Sequence, residues 1–214
     1  MASRMLILFS KKGRMKYIGH LDLLKVLQRA VSRSKIPISY SQGFNPHQQM
    51  SFALPLPIGV DGEREIVEIE LEADLAPEDA VGALNPHMPR GMEILSARRR
   101  AEGEKTPASK VAAADYAVEA DISPEELELR LEGALARKEM KILKKGKGGV
   151  KEIDIRPDLI EASACGNCLK LRLSAGSVKN IKAEDILSEM NLKPKSICRL
   201  ELLKKTEDGF EPIF

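Results

Sequence analysis

Tryptophan is absent from this 214-residue chain, and aromatic residues together make up only 4% of it. The core must therefore be filled by Leu, Ile, Val, Met and Ala, and a ring placed outside an apolar run asks for an explanation. Cysteine is as scarce. Three residues, an odd number, make no disulfide framework, and the expectation is a reduced, cytoplasmic protein. No apolar stretch approaches the length of a membrane span, so no membrane partner is expected. No signal peptide is visible either, because the apolar run Met5–Phe9 is cut off by Ser10-Lys11-Lys12. Cofactor motifs are missing as well. There is no GxGxxG followed by a spaced acid, no Walker A and no GxSxG, and no cofactor is expected.

What is present is a segregated charge. Residues 1–50 hold nine Lys/Arg and a single acid, Asp22, whereas residues 51–96 hold two Arg and ten Asp/Glu. A net charge of +2 hides this asymmetry, which points to an anionic partner for the first segment. With 43% apolar and 31% charged residues the chain can still bury a sizeable core.

The element pattern reads as strand, helix, strand, strand, helix, strand, and then repeats. Met5–Phe9 is a strand by composition. A helix runs from Gly19–His20 to about Ser34, with Leu21, Leu24, Leu27 and Val31 as its inward stripe, Leu23 and Ala30 flanking it, and Pro37 ending it. Met50–Leu54 and Glu65–Glu72 are strands, Pro77 opens a short helix that stops before Asn85-Pro86, and Met92–Arg98 closes the set. Residues 101–113 are polar and small, a linker by composition. Strand Tyr116–Ile122 follows, then a helix with Ser123 as N-cap and Pro124 at its first position. Strands Met140–Leu143 and Val150–Ile155 flank a glycine-rich turn, and Gly166-Asn167 marks a hairpin between Leu159–Ala164 and Cys168–Leu173. Helix Lys182–Met190 and strand Ile197–Leu203 complete the pattern. The expectation is an α+β fold of two tandem ferredoxin-like (βαββαβ) domains, with antiparallel sheets and helices on one face. The first would span 1–100, the linker 101–113, and the second, with an extra hairpin, 114–214.

The segment SYSQGFNPHQQMSF, residues 39–52, is uncharged and aromatic, and directly follows the most basic helix. Cations neutralise phosphates, while rings and amides read unpaired bases by stacking and edge hydrogen bonds. The candidate RNA- or partner-binding residues are therefore Lys11, Lys12 and Arg14, the helical row Lys25, Arg29 and Arg33, and Tyr40, Gln42, Phe44, Asn45 and His47. A second basic cluster, Lys144, Lys145 and Lys147, sits in the glycine-rich turn. The plainer readings are a solvated helix face, core rings and a solvated hairpin tip. His20, at a helix start beside Asp22, is the one candidate general base, although such a histidine more often caps or packs. Cys165-Gly166-Asn167-Cys168 is a CxxC. A tetrahedral metal site needs four ligands, and Cys198 is the only other cysteine, so no metal is expected.

Residues 11–60 resemble the radical SAM-linked protein family, a bacterial domain found beside or fused to a radical SAM protein. The likeness rests on Gly19-His20-Leu21-Asp22, Arg29-Ala30, the block 40-YSQGFNPH-47, Ser51-Phe52 and Pro57-Ile58-Gly59-Val60, with 152-EIDIRP-157 further on. It implies a radical SAM protein as partner and supplies no catalytic residues. The CxxxCxxC of a radical SAM cluster is absent, so the cluster would belong to the partner. A looser likeness, to CRISPR RNA-processing endonucleases of the RAMP type, lacks their glycine-rich loop, since 191-NLKPKS-196 has no glycine. The functional expectation is a non-catalytic accessory module that binds RNA or ribonucleoprotein and works with a separately encoded radical SAM enzyme. The alternatives are a metal-free RNA-processing endonuclease using His20, and a protein-binding adaptor.

Overall fold

The computed structural model describes residues 3–146 and 149–214. The first half runs β1 (Ser3–Lys11), α1 (His20–Ser34), β2 (Met50–Phe52), β3 (Asp61–Leu71), α2 (Pro77–Leu84) and β4 (Met92–Arg99). A short helix, α3 (Pro107–Lys110), leads directly into β5 (Val111–Ala120), so the second half of the segment 101–113 carries regular structure. Then come α4 (Pro124–Leu135), β6 (Lys141–Gly146), β7 (Gly149–Asp154), β8 (Leu159–Cys165), β9 (Cys168–Ser174), α5 (Ala183–Glu189), β10 (Pro194–Thr206) and β11 (Gly209–Pro212). Among the described residues no helix is long and apolar enough to cross a membrane.

The expectation of two tandem ferredoxin-like domains is corrected by the sheet. Among the described residues, nine strands form one mixed sheet in the order β4-β1-β3-β10-β5-β9-β8, with β2 added to β3 and β11 to β10. Only the β6–β7 hairpin stands apart. The seam between the halves is the parallel pairing of β10 with β3, at Cys198 opposite Asp61 and Arg199 opposite Gly62.

The physical reason lies in β1. Its apolar residues alternate between two cores. Met5, Ile7 and Phe9 pack with Leu23, Leu27 and Ala30 of α1 and with Ala80 and Leu84 of α2. Leu6 and Leu8 point the other way and join Ile66, Leu56 and the apolar residues of β5, β9, α4 and α5. A run of five apolar residues covers a strand on both faces, unlike the alternation of a sheet with one wet face. The second half therefore packs where a separate ferredoxin-like sheet would meet solvent.

A buried ion pair fastens the seam. The Arg199 guanidinium binds Glu65 through Nε (2.9 Å) and Nη2 (2.5 Å), and both side chains are almost fully buried. Burial opposes its charge, but the Glu65 carboxylate and the Tyr116 hydroxyl outweigh that and hold the guanidinium above its ordinary value. Arg199 also donates to the carbonyls of Leu54 (2.9 Å) and Pro55 (3.3 Å), tying β10 to the chain that follows β2.

Candidate nucleic-acid interface

The site is built on α1. The sequence places a Leu/Val stripe on one side, and the helix seats Leu23, Leu27, Ala30 and Val31 in the core. This corrects the expected stripe, because Leu21 is exposed and Leu24 only half-buried. Lys35 closes the helix in the left-handed conformation (φ 57°), two residues before Pro37. The opposite face presents Lys25, Arg29 and Arg33, all exposed and one helical turn apart, which sets them about 6 Å apart along the axis.

Arg29 and Arg33 are two neighbouring arginines on one helix face that share an electrostatic feature. Nine of its fourteen arginines are in ion pairs with carboxylates. Among the described residues Arg29 and Arg33 are in none. Lys25 has only Asp22, at 3.6 Å between two well-exposed side chains, a contact worth little. Six of the ten acids of residues 51–96 pair with cations outside the ridge, none of them with Arg29 or Arg33 among the described residues.

The aromatic loop leaves and rejoins the edge of β3. Ser39 N–H donates to the Glu70 carbonyl and Glu70 N–H to that of Gln49 (2.8 and 3.0 Å), while Tyr40 and Gln48 form a β-bridge. Across the loop, Ser41 N–H donates to the His47 carbonyl (2.8 Å) and His47 N–H to Ser41 Oγ (3.0 Å). Ser41 Oγ lies 2.7 Å from His47 Nδ1, so the ring is oriented with Nε2 away from the serine.

Gln48 stitches this loop to the helix. Its amide Nε2 donates to Ser32 Oγ (2.9 Å) and reaches Tyr40 OH (3.5 Å). The Ser32 hydroxyl spends its proton on the Gln28 carbonyl (2.9 Å), so it can only accept from Gln48. The amide orientation is fixed by that chain, and Gln48 Oε1 is left as a buried acceptor with no protein donor.

The result is an open cleft of about 500 Å³ between helix and loop. Lys25, Arg29 and Arg33 form one wall, Tyr40, Pro46 and His47 the other, and Gln48 lies between them. Tyr40 is 47% exposed and Phe44 fully so, which excludes the reading of both rings as core. Gln42, Phe44 and Asn45 are exposed on the loop tip, beyond the cleft walls. A smaller cavity of about 280 Å³ beside Arg172 offers less for an anion, because Arg172 is already paired with Asp115 (2.8 Å) and Glu161 (3.0 Å).

Other sequence candidates do not join this face. Lys11 is buried, only 1% exposed, and its Nζ donates to the carbonyls of Ile18 (3.2 Å) and Lys16 (3.5 Å). Burial pushes its pKa down, partly offset by Glu65. It is a structural cation, which corrects its expected role as a phosphate ligand. Lys12 is paired with Glu63 at 2.6 Å, away from the α1 ridge. Arg14 is exposed on the 3-10 turn Gly13–Tyr17, which Asp61 holds through the Gly13 N–H (2.8 Å). Lys144 reaches Asp185 (3.4 Å) and the Asn180 carbonyl (3.3 Å) in the second half. Lys145 stands opposite Val150 in the β6–β7 ladder, and Lys147 lies outside the described residues.

His20 packs edge-on against Phe52, with ring centroids 4.9 Å apart, and its Nδ1 is buried without a partner. It lies outside the cleft walls. Cys165 and Cys168 face each other across the β8–β9 turn as free thiols. Among the described residues no group of three or more His, Cys, Asp or Glu side chains is close enough to hold a metal ion.

Sequence reasoning missed Gln28, Ser32 and Gln48, the polar groups that dock loop on helix. Gln48 was legible only as one of a run of glutamines, and Ser32 as one of several small polar residues on α1. A search of curated proteins finds no match to this chain. Residues 4–183 match the family described as an uncharacterized protein conserved in bacteria (DUF2344), and the chain belongs to that family.

Proposed function

We propose that this protein is a cytoplasmic, non-catalytic accessory module that binds single-stranded RNA, free or in a ribonucleoprotein, along α1 and the 40–48 loop. The carrying observation is that two arginines in no ion pair among the described residues and an exposed tyrosine line one cleft. Arg29 and Arg33 hold phosphates, Lys25 extends the track, and Tyr40 and His47 supply faces for a base. The hydroxyl of Tyr40 and Nε2 of His47, both exposed, supply polar groups for base edges, while the buried Gln48 holds the loop on the helix. Phe44, on the tip, adds a second ring for an entering strand. The resemblance of residues 11–60 to radical SAM-linked proteins supports a separately encoded radical SAM enzyme as the partner that acts on the bound RNA.

His20 is not assigned a catalytic role, because its ring is packed on Phe52 and, among the described residues, its buried Nδ1 has no hydrogen-bond partner to orient it. A protein-docking surface has one observation of its own. Tyr17, Leu21 and Ile58 are each more than 60% exposed, and Leu21 sits one turn before Lys25 on the same helical row. This patch is the natural contact for a protein partner beside the RNA track.

The test is fluorescence anisotropy with 5′-labelled oligouridylate and oligoadenylate across a potassium chloride series. The parent is expected to bind with salt-sensitive affinity, and Arg29→Ala/Arg33→Ala to bind weakly while keeping its melting temperature. Equal binding by parent and double variant at every salt concentration defeats the proposal.

A further inference from the structure

The arginine ridge has a second side. Arg29 and Arg33 also line a separate open cleft of about 360 Å³, whose other wall is Pro86, His87, Met88 and Pro89 and whose helix side includes Val26. The turn carrying these residues is rigidly placed. Asn85 begins it, accepts from the Ile94 N–H (2.8 Å) and donates to the Ile94 carbonyl (2.9 Å), pairing with β4 as a strand residue would. Although residues 51–96 are rich in acids, the stretch 85-NPHMPR-90 contains none and ends on the exposed Arg90.

The tripeptide Asn-Pro-His thus occurs twice, at 45–47 and 85–87, and its Pro and His line one cleft on each side of the same two arginines. The backbones differ, an open loop in one case and a 3-10 turn in the other. What is shared is the chemistry of the wall. A proline face and an imidazole present flat surfaces against which a base or a ribose can lie. The second cleft differs in its remaining lining, where Val26 and Met88 stand in place of Gln28, Ser32 and Gln48.

We infer that the cleft between α1 and the Pro86–Pro89 turn is a second nucleotide subsite, and that an RNA strand rides its phosphates on the Arg29–Arg33 ridge with successive bases falling to opposite sides. This rests on the reading of the first cleft as an RNA site. One helical turn separates the two guanidinium stems by about 6 Å along the axis, which suits neighbouring phosphates of an extended strand. The first cleft, with the exposed Tyr40 hydroxyl and His47 Nε2, discriminates among bases by hydrogen bonding. The second cleft, with apolar groups beside His87, takes any base by stacking and contact, since every base offers a π-face. The strand therefore has one selective position beside one permissive position.

The experiment measures anisotropy of labelled oligouridylates of two, three, four, six and eight nucleotides against the parent, His87→Ala/Met88→Ala and His87→Glu. Circular dichroism melting checks that each variant folds. For the parent, affinity is expected to climb with length until both clefts are filled. In His87→Ala/Met88→Ala the gain with length is cut by about tenfold, the loss expected of one stacked base, while the shortest ligand binds as it does to the parent. His87→Glu, which sets a negative charge beside the ridge without removing Met88, is expected to lose at least as much. If both variants follow the parent at every length, the second subsite is overturned and RNA binding at the first stands. If the parent binds no oligonucleotide, both readings fall. Equal displacement of RNA by polyglutamate and by unlabelled oligouridylate shows a surface selective for anions of any kind, and overturns the subsite.

Discussion

Glu65→Gln should be among the most damaging single substitutions in this protein, although it deletes no volume. Glu65 is the counter-ion of Arg199, and both side chains are withdrawn from water to within a few per cent. Lys11, equally buried, also leans on the Glu65 charge. Replacing the carboxylate by an amide leaves two buried cations without it, Arg199 in the seam between β3 and β10 and Lys11 at the end of β1. Removing one partner of a buried pair costs about 3–5 kcal/mol, a large part of the roughly 5–15 kcal/mol that holds a domain folded. With a urea slope of about 3 kcal/mol per molar, the denaturation midpoint should fall by about 1–1.7 M. The measurement is equilibrium urea unfolding followed by far-UV circular dichroism. Arg199→Met/Glu65→Leu is the control, because a well-packed apolar pair often replaces a buried ion pair at little cost. It should recover part of the loss, limited by Lys11. A midpoint shift below about 0.3 M for Glu65→Gln, or a double variant worse than the single, would refute the view that this ion pair fastens the seam.

Three further outcomes follow from single contacts. Glu104 accepts from both Arg98 Nη atoms (2.9 and 2.8 Å) and from Lys110, and the Arg98 guanidinium holds its carboxyl far below the usual range. That stability is complete above the unfolded carboxylate pKa of about 4.3 and drains as pH falls below it. Glu104→Gln should accordingly flatten the acid limb of a melting-temperature profile, and an unchanged limb would count against the assignment. Gly91 has φ +94°, and an added Cβ would come within 2.6 Å of the Lys12 carbonyl oxygen, so Gly91→Ala should lose about 1–3 kcal/mol in the same urea assay. Burial, reinforced by Glu63 and Asp61, pushes the Cys198 thiol up to about 11, whereas Cys165 is exposed. Iodoacetamide at pH 8 should label Cys165 well before Cys198, as mapped by peptide mass spectrometry, and equal rates would contradict this.

Local structure was readable wherever one element carried its own signal. The limits of α1 follow from its apolar period and Pro37, and Ser123 caps α4 as its sequence implies, accepting from the Glu126 N–H at 3.2 Å. The Gly166-Asn167 turn likewise gives the β8–β9 hairpin. What escaped is long-range. The β3–β10 seam joins residues more than 130 positions apart through two residue pairs, and nothing local announces it. The run MLILF did carry a hint, since five apolar residues in succession ask for cover on both faces. Counting Lys11 as surface charge failed for a related reason, because its burial depends on Glu65 far along the chain. Within the site, the row Lys25, Arg29 and Arg33 and the residues Tyr40 and His47 were legible from charge and composition. Their convergence depends on the Gln48–Ser32–Gln28 chain of hydrogen bonds, which links groups up to 20 residues apart. The position of His87 across the ridge is set by the packing of α2 and β4.

The central claim is that Arg29 and Arg33 are phosphate contacts. The salt slope of RNA affinity measures this directly, since each phosphate neutralised on a single strand contributes about −0.7 to the slope of log K against log salt. Anisotropy titrations with an eight-nucleotide oligouridylate from low to moderate potassium chloride should give the parent a slope near −2, from Lys25, Arg29 and Arg33 together. Arg29→Ala/Arg33→Ala should be shallower by about 1.4. A double variant with the parent's slope and affinity would show that the ridge touches no phosphate.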